Sequence, residues 1–425
     1  MRTLGMTERQ GGRLRVLMLS RSYPSELFPN SGLWVERPTV LLNERDGFEV
    51  RVVSPQPYCP PLPHTGPLAH YARFRRIAGH EIRNGVEIMR PRFASGPGSR
   101  ANAVESRAYE WGIRRILDRL RGRFAFDLIH AHFIYPEGAA AHALSRRYDV
   151  PFVVSEHAPW SEERFARRSV RRTSIEAGRA TRSLMTVSDY VARSISDWIG
   201  TAASISIVPT GVDGEMFVPA PPSDHIDDQI LYVGWPNFNK GVDVLLRAMA
   251  LIKERHEPGR LLLVGGSYFR STRLMEAQLK QLAESLGLGD RVTFAGPREH
   301  HEVARLMARS AVLVLPSRAE TAGTVLVEAL ACGTPVVATR SGGPEMYVTP
   351  EVGVLVPVGD PKALADALLT VLHGRVSFAP MQLREYALEH FAWPRIVDAW
   401  VDAYARAMSS SSEVDAPSRS RAVRH

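Results

Sequence analysis

The chain has 425 residues, of which 53 are basic, 45 are acidic and two are cysteines. This length exceeds what one hydrophobic core normally organises, so we expect two domains of about 200 residues each. The longest apolar runs are only of strand length, which predicts no transmembrane helix. Cys59 and Cys332 lie far apart, which argues against a disulfide framework or a zinc site. No cleavable leader is recognisable, and we expect a cytoplasmic protein.

Positive charge is concentrated in the first half of the chain. Residues 1–210 contain 31 arginines, no lysine and 20 acidic residues. The arginines gather in two stretches that read as helices, 112–124 and 163–182. They could be solvated helix faces, or they could meet an anionic acceptor or the anionic inner face of a membrane. Nucleic acid is not an expected partner, because aromatic residues are not interleaved with the arginines and no known nucleic-acid module is present.

Strand-like and helix-like stretches alternate from end to end, which is typical of parallel sheets covered by helices. In chain order the predicted strands of the first half are "LRVLMLS", "FEVRVVS", "VEIMR", "FDLIHAH", "PFVVSEH", "LMTVS" and "SISIVP". Those of the second half are "QILYVG", "RLLLVGG", "RVTFAG", "AVLVLPS", "TPVVAT" and "GVLVP". The predicted fold class is α/β, with two doubly wound Rossmann-like domains facing across a cleft, where ligands usually bind.

The domain boundaries follow from composition. We expect an N-terminal Rossmann-like domain over residues 1–210 and a C-terminal Rossmann-like domain over residues 229–390. Residues 211–228 are rich in Pro, Asp and Gly and are predicted to be a linker. Residues 391–408 read as a terminal helix that returns to the N-terminal domain. The serine-rich tail, 409–425, is predicted to be disordered.

The segment "LYVGWPNFNKGVDVLLRAM" reads as a strand, a loop and a helix. Gly234 and Gly241 allow the backbone to approach a ligand closely. Lys240 directly precedes the predicted helix, a position suited to binding phosphate through its charge and the free N–H groups. A solvated surface lysine is the alternative interpretation.

A second segment with the same layout, "AVLVLPSRAETAGTVLVEALACG", contains two glutamates among small and apolar residues. Glu320 is expected in the loop before the helix, and Glu328 two turns inside it. The exposed amides of Ala322, Gly323 and Thr324 would form an anion site beside Glu320. Alternatively, Glu320 could complement the positive helix end and Glu328 could pair with an arginine.

The spacing of Glu320 and Glu328 resembles the E-x7-E motif of retaining glycosyltransferase family 4, whose members have the two-Rossmann GT-B architecture. Other stretches are similar to the family in order and spacing: "VGWPNFNKG", "VPTGVDGEMFVP", "DRVTFAG", "ACGTPVVAT" and "SGGPEMYV". In the first half, "SYPSELFPNSGLWVERP", "HAHFIYPEG" and "VVSEHAPW" resemble members that assemble bacterial surface polysaccharides. The resemblance covers roughly residues 13–408.

The resemblance implies that the N-terminal domain binds the acceptor and the C-terminal domain binds the nucleotide-sugar donor. It also implies a role for each matching residue. Glu320 would bind hydroxyls of the donor sugar and Glu328 the two ribose hydroxyls. The diphosphate would be held by Lys240 and by the amides of Ala322, Gly323, Thr324 and Val325. Gly32 would let the backbone approach the donor, and His157 would lie near the reacting anomeric carbon. These side chains, with Gly234 and Trp235, make up the predicted site.

Three positions depart from the family pattern. Trp235 stands where many members have an arginine that binds the diphosphate, so one positive charge is missing. Arg318, Arg21 or Arg340 could supply it. Ala322 replaces an aromatic residue and Thr210 an asparagine, and neither change affects the expected backbone geometry.

The resemblance also implies a mechanism. The chain has no D-x-D pair to hold a metal on a nucleotide sugar, so we expect no metal and no cofactor, with the diphosphate charge met by Lys240, arginines and helix ends. Members are thought to act by front-face substitution with retention. His157 would contact the reacting centre, or would simply be a hydrogen-bonded histidine at a strand end. We expect His130 and His132 to face opposite ways, and His300 and His301 to be surface residues.

The leading hypothesis is therefore a retaining hexosyltransferase that uses a nucleotide diphosphate sugar and a hydroxyl acceptor on a glycan, a lipid-linked intermediate or a small molecule. Polysaccharide or glycoconjugate biosynthesis is the expected context. An epimerase of the same architecture and a nucleotide-sugar binding or scaffold protein without turnover remain as alternatives.

Overall fold

The computed structural model describes residues 12–58, 72–95, 105–200, 204–266, 270–376 and 378–409. These residues form two compact units. Unit 1 contains the described residues up to Thr186, Ala192–Val208 and the chain from Val397 onward, and unit 2 contains Val187–Val191 and Pro209–Ile396. No described helix is long and apolar enough to cross a bilayer. Cys59 and the predicted tail beyond Ser409 lie outside the described residues.

Unit 1 is built on a mainly parallel sheet. Its strands are β1 (Leu14–Leu19), β2 (Phe48–Val53), β3 (Gln56–Pro57), β4 (His80–Arg83), β5 (Val86–Met89), β6 (Arg92–Phe93), β7 (Leu128–His132), β8 (Phe152–Glu156), β9 (Ser183–Thr186) and β10 (Ile205–Ile207). The main sheet has the order β10-β9-β8-β7-β1-β2-β5-β4, and only the β4–β5 pair is antiparallel. β3 and β6 form a separate parallel pair. The strand order reverses between β1 and β7, and ligands usually bind beyond the carboxyl ends of the strands at such a point.

The helices of unit 1 are α1 (Leu33–Glu44), α2 (Glu105–Arg121), α3 (Ala139–Tyr148), α4 (Arg168–Ala180) and α5 (Asp189–Ile199), the last from Ala192 onward. α3 lies between α2 and α4 and contacts both. α2 buries Tyr109, Ile113, Leu117 and Leu120, whose spacing places them on one face of the helix.

Unit 2 contains a six-stranded parallel sheet. Its strands are β11 (Ile226–Val233), β12 (Arg260–Val264), β13 (Val292–Gly296), β14 (Ser310–Leu315), β15 (Val336–Thr339) and β16 (Gly353–Val356). They are arranged as β13-β12-β11-β14-β15-β16, and every neighbouring pair is parallel. The order reverses between β11 and β14.

The helices of unit 2 are α6 (Val242–Glu254), α7 (Arg270–Ser285), α8 (His300–Arg309), α9 (Thr324–Ala331), α10 (Pro344–Tyr347), α11 (Pro361–Leu372) and α12 (Pro380–Phe391). α13 (Trp393–Ser409) follows and belongs to unit 1 from Val397 onward. β14 shows why its sequence is a continuous apolar run. Val312 and Val314 enter one hydrophobic cluster, whereas Leu313 and Leu315 enter the cluster on the opposite face.

The structure contains all thirteen strands that the sequence predicted, and it confirms the α/β class with two Rossmann-like domains. The prediction missed β3, β4 and β6. β3 and β6 have two residues each, and β4 is a partly exposed edge strand in which Ile82 is 72 % exposed. Such strands carry little apolar signal, because no core packs on both faces.

The predicted linker is packed against unit 2 over part of its length. Val212 and Phe217 belong to the hydrophobic core. Arg384 of α12 donates hydrogen bonds to the carbonyls of Gly214 (2.8 Å), Phe217 (2.6 Å) and Ala331 (2.9 Å). One guanidinium therefore joins this segment to the end of α9.

We expect Arg384→Met to lower the free energy of unfolding by about 2–4 kcal/mol, because three carbonyls lose a charged donor. Urea denaturation measures this change. The control is Arg395→Met, which replaces an exposed arginine of α13 and should change stability by less than about 0.5 kcal/mol. Equal stability of the two variants would contradict this stabilising role of Arg384.

Candidate functional site

Glu320 lies in the loop between β14 and α9, as the sequence predicted. The residue is buried, with 8 % of its surface exposed. Its amide donates to the Ser341 carbonyl (3.0 Å) and its carbonyl accepts from the Gly343 amide (2.8 Å). The loop after β15 therefore fixes the backbone from which this carboxylate projects.

The Glu320 carboxylate forms an ion pair with Lys240. Lys240 Nζ lies 2.5 Å from Glu320 Oε2, and the Ser317 hydroxyl donates to the same oxygen (3.1 Å). Lys240 ends a short 3-10 turn directly before α6. Sequence reasoning assigned these two side chains to different parts of the ligand and did not predict their contact.

The loops that carry Lys240 and Glu320 follow β11 and β14, the two strands at which the order of the sheet reverses. The Arg318 amide donates to the Asn239 carbonyl (2.6 Å) and joins the two loops. Gly241 has a φ of 62°, and a Cβ there would lie 2.0 Å from the Pro316 carbonyl oxygen. Only glycine permits this close approach.

The backbone N–H groups before and at the start of α9 are candidate donors for a ligand. Gly323 precedes the helix in a left-handed conformation with a φ of 85°. Thr324 and Val325 form the first turn, whose N–H groups have no intrahelical acceptor. A Cβ at Gly343 would lie 2.6 Å from the carbonyl oxygen of Ala322, so the loop after β15 packs tightly against this turn. The four residues from Ala322 to Val325 therefore form an anion-attracting turn beside Glu320.

Glu328 lies in the second turn of α9 and its side chain is 16 % exposed. Its Oε1 lies 3.5 Å from His300 Nε2. The His300 ring also packs edge-on against Phe217, with 5.2 Å between ring centroids. His300 does begin a helix, but it is not the simple surface residue that we expected. Its proximity to Glu328 depends on the packing of α8 beside α9, which local sequence does not encode.

Gly234 and Trp235 follow the end of β11. The Gly234 amide donates to the Val264 carbonyl (3.0 Å), and a Cβ would lie 2.9 Å from the Tyr232 hydroxyl. Trp235 is 54 % exposed.

The arginines considered as replacements for the missing charge at Trp235 have different surroundings. Arg318 forms a two-point ion pair with Asp243 (2.8 and 2.7 Å), which holds the pKa of that carboxyl below its usual value. Arg21, in unit 1, is bonded to Glu137 (3.0 Å) and Glu105 (2.8 Å). Arg340 is exposed.

Unit 1 carries a cluster of histidines at the ends of β7 and β8. The rings of His130 and His132 stack 4.5 Å apart, and His132 lies 5.2 Å from the ring of His157. The expectation that His130 and His132 face opposite ways was wrong. Residues two positions apart in a strand point to the same face, since side chains alternate with a period of two.

Burial keeps these histidines neutral. It lowers the pKa of His130 to about 3 and that of His157 to about 4, and it places the pKa of His132 well below its usual value. Neighbouring imidazoles disfavour the charged forms of His130 and His132 further. At neutral pH each ring therefore has one N–H donor and one acceptor nitrogen.

Glu156 fixes the turn on which His157 lies. This carboxylate is fully buried. It accepts hydrogen bonds from the backbone amides of His157 (2.9 Å), Ala158 (3.0 Å) and Ile134 (3.0 Å). It also accepts hydrogen bonds from the side chains of Trp160 (3.3 Å) and Arg164 (3.2 Å). Sequence reasoning missed Glu156, although a carboxylate at the end of a buried strand was a usable signal.

Gly32 precedes α1 with a φ of 78°, and a Cβ there would lie 2.1 Å from the Ser22 carbonyl oxygen. The structure thus gives a backbone reason for this glycine. Trp34, two residues later, packs 6.4 Å from the His157 ring. Within the described ranges, no group of three or more His, Cys, Asp or Glu side chains is arranged to hold a metal ion.

Two family models match the chain. The model described as "Glycosyltransferase Family 4" matches residues 43–215, and the model described as "Glycosyl transferases group 1" matches residues 217–390. Among curated proteins, the D-inositol 3-phosphate glycosyltransferase of Frankia alni is 31 % identical over 313 residues, which are 68 % of this chain and 76 % of that protein. The protein of the same name from Xylanimonas cellulosilytica is 32 % identical, over 66 % and 72 % of the two chains.

Solved structures show the same fold. Sucrose-phosphate synthase from Thermosynechococcus elongatus has a TM-score of 0.74 at 22 % identity, and covers 94 % of this chain and 100 % of its own. The Anabaena protein HepE in complex with UDP has a TM-score of 0.70 at 19 % identity, over 92 % and 99 % of the two chains. The predicted GT-B architecture is thereby confirmed.

The buried histidines predict how stability depends on pH. An unfolded histidine has a pKa near 6.5, so the unfolded state binds more protons than the folded state below that value. The free energy of unfolding should therefore fall as pH drops from about 6.5 to about 4. Urea denaturation at pH 7 and pH 5 measures the loss. This loss of stability should be smaller in His130→Gln than in the wild type. The control His301→Gln, at an exposed site, should show the same loss as the wild type. Equal losses in all three proteins would contradict this origin.

Proposed function

The chain belongs to glycosyltransferase family 4, and from this premise we propose that it transfers a hexose, with retention and without a metal, from a nucleotide diphosphate sugar to a hydroxyl acceptor. The observation that carries the proposal is the Lys240–Glu320 pair beside the first turn of α9. It brings together a cation, a carboxylate and free backbone N–H groups. These are the groups needed to bind a diphosphate joined to a sugar.

Binding of the donor would replace the ion pair between Lys240 and Glu320 by contacts of both side chains with the ligand. Lys240 and the N–H groups of Ala322, Gly323, Thr324 and Val325 would bind the diphosphate. Glu320 would then accept hydrogen bonds from sugar hydroxyls in place of the lysine. Lys240 and Glu320 each have a partner both before and after the donor binds, so neither charge is left buried without one.

Glu328 would bind the ribose hydroxyls of the nucleotide. Its carboxylate is mostly buried, and a diol offers it two donors at one site. Gly234 and Trp235 would border the donor at the end of β11. Trp235 brings no charge where many members of the family have an arginine, so we expect weaker diphosphate binding than in those members.

The chemical step would be a front-face substitution. The bond between the anomeric carbon and the phosphate oxygen breaks, and a bond to the acceptor oxygen forms on the same face. The acceptor proton passes to the departing phosphate oxygen. Lys240 and the α9 amides would stabilise the charge that develops on the leaving group, and His157 would contact the reacting sugar.

The acceptor would be a hydroxyl compound of glycan, lipid-linked or small-molecule type, in polysaccharide or glycoconjugate biosynthesis. The names of the curated relatives make D-inositol 3-phosphate one compound to include in an acceptor screen.

The first experiment is a thermal-shift panel of UDP, GDP, ADP and their sugar conjugates. A ligand at 100 times its dissociation constant should stabilise the protein by about 2.7 kcal/mol. Glu328→Ala and Lys240→Met should weaken binding of the effective nucleotide by about tenfold or more, because each removes a charged hydrogen-bonding group. The matched controls are Glu284→Ala, at an exposed glutamate, and Lys253→Met, at a lysine paired with Asp290.

Turnover then separates the alternatives. NMR of the product should show the anomeric configuration of the donor, and chelation with EDTA should not reduce the rate. An inverted product or loss of activity in EDTA would contradict the proposed chemistry. Conversion of the donor to an epimer would identify an epimerase. Binding without transfer to any acceptor would favour a binding or scaffold protein.

We also propose that the protein is cytoplasmic and contacts the anionic inner face of a membrane. The contact surface would be the layer formed by α2, α3 and α4, here called the basic helix layer. Its exposed arginines are Arg107, Arg115, Arg119, Arg146, Arg147, Arg168, Arg172 and Arg179. Trp111 lies among those of α2 and is 71 % exposed. Arginines attract anionic headgroups, and an exposed tryptophan is suited to the bilayer interface.

Co-sedimentation with vesicles tests this contact. The protein should bind vesicles that contain phosphatidylglycerol at low salt and should not bind neutral phosphatidylcholine vesicles. The double variant Trp111→Ala, Arg115→Gln should reduce binding by about tenfold, as each surface arginine contributes about 1 kcal/mol. Arg298→Gln with Arg305→Gln, two exposed sites of unit 2, is the control. Absence of sedimentation with anionic vesicles would overturn the proposal.

A further inference from the structure

Three side chains of unit 1 form a hydrogen-bonded row. His132 Nε2 lies 3.1 Å from Met18 Sδ, and His132 Nδ1 lies 2.9 Å from His157 Nε2. Met18 and His132 are fully buried. Met18 belongs to β1 and pairs in register with His130 on β7. His132 is two positions further along β7, so the sheet itself places the thioether beside the imidazole.

The chemistry of a thioether decides the direction of both hydrogen bonds. Sulfur in methionine has no hydrogen and can only accept. His132 must therefore carry its proton on Nε2 to bond with Met18. A neutral imidazole has one N–H, so His132 Nδ1 is an acceptor, and the donor in the second bond must be Nε2–H of His157.

We propose that Met18 and His132 are positioning residues that hold His157 as its Nε2–H tautomer, so that His157 Nδ1 presents a hydrogen-bond acceptor to a hydroxyl of the substrate. The tautomer follows from the contacts within unit 1. The assignment of a sugar or acceptor hydroxyl as the group that donates to Nδ1 rests on the proposed function.

The contacts of His130, in contrast to those of His132 and His157, do not determine which ring nitrogen carries the proton. Its Nδ1 lies 2.7 Å from the Tyr404 hydroxyl and its Nε2 lies 2.8 Å from the Ser155 hydroxyl. A hydroxyl can donate or accept, so these neighbours permit either tautomer. The sulfur of Met18 removes that choice for His132, and His132 removes it for His157.

The neutral state and the orientation of His157 are also fixed. Burial lowers the pKa of His157 to about 4, which keeps one nitrogen unprotonated at neutral pH. The ring of Phe133 packs 5.1 Å from the ring of His157, and the Glu156 carboxylate accepts a hydrogen bond from the backbone amide of His157. The acceptor nitrogen is therefore presented in one direction.

Met18→Leu should reverse the direction of the hydrogen bond between His132 and His157. Leucine fills a similar volume but cannot accept, so Nε2–H of His132 would be buried without a partner. Moving the proton to Nδ1 allows His132 to donate to His157 Nε2. His157 then carries its proton on Nδ1 and becomes a donor where the wild type has an acceptor.

The test is long-range ¹H–¹⁵N correlation NMR of protein labelled with ¹⁵N-histidine, without any ligand. Variants His132→Asn and His157→Asn assign the signals. In the wild type, His132 and His157 should both show the Nε2–H pattern, and in Met18→Leu both should show the Nδ1–H pattern. Met307→Leu, a fully buried site in unit 2, is the control and should keep the wild-type pattern. A Nδ1–H pattern for His157 in the wild type, or no change in Met18→Leu, would overturn the proposal.

A second measurement connects the tautomer to turnover. With an active donor and acceptor pair, Met18→Leu should lower turnover by about tenfold, the effect of losing one hydrogen bond of about 1.4 kcal/mol, and should leave nucleotide binding unchanged. Unchanged turnover with a reversed tautomer would refute the contact with a hydroxyl. If no transfer occurs with any acceptor while the spectra are as stated, the proposed function fails and the tautomer assignment stands.

Discussion

The burial of charged carboxylates is the constraint on which both candidate regions depend. Glu320 is 8 % exposed, and an isolated carboxylate at such a site would be strongly destabilising. Its partner Lys240 is 80 positions away in the sequence. The two meet because β11 and β14 are neighbours in the sheet, at the reversal of strand order. Removing one member of a buried pair typically costs about 3–5 kcal/mol, and the 27 % exposure of the Lys240 side chain places this pair below that range.

Unit 1 satisfies the same constraint with different groups. Glu156 has no lysine beside it, and its charge is shared among backbone amides, an indole N–H and Arg164. These bonds order the turn that carries His157. The neighbouring histidines avoid the desolvation cost by remaining neutral. A buried charge thus holds the backbone in place, while the uncharged histidine rings stack on one another.

The sequence was sufficient for features that depend on local pattern. The strands are continuous apolar runs, and the start of α9 is marked by Gly323, so the positions of Glu320 in a loop and Glu328 in a helix could be predicted. Contacts between elements could not be predicted in this way. The pairing of Glu320 with Lys240, of Glu328 with His300 and of His132 with His157 all depend on which strands and helices are neighbours.

The prediction for His130 and His132 failed for a different reason. It did not apply the two-residue period of a strand, which places both rings on one face. The family resemblance supplied roles for single residues, but it did not show that Lys240 already has a carboxylate partner. That contact changes the expected energetics of the site, because a ligand must replace an existing interaction.

On the proposed function, this replacement limits how tightly the donor can bind. A diphosphate carries more negative charge than Lys240 alone can balance, and Lys240 first has to leave Glu320. The α9 N-terminus contributes the equivalent of about half a positive charge. Trp235 contributes none, and Arg318 is held by Asp243. Sugar hydroxyls that satisfy Glu320 are then needed to release the lysine, so the phosphate and sugar contacts support each other. A nucleotide without its sugar lacks this compensation and should gain less from Lys240.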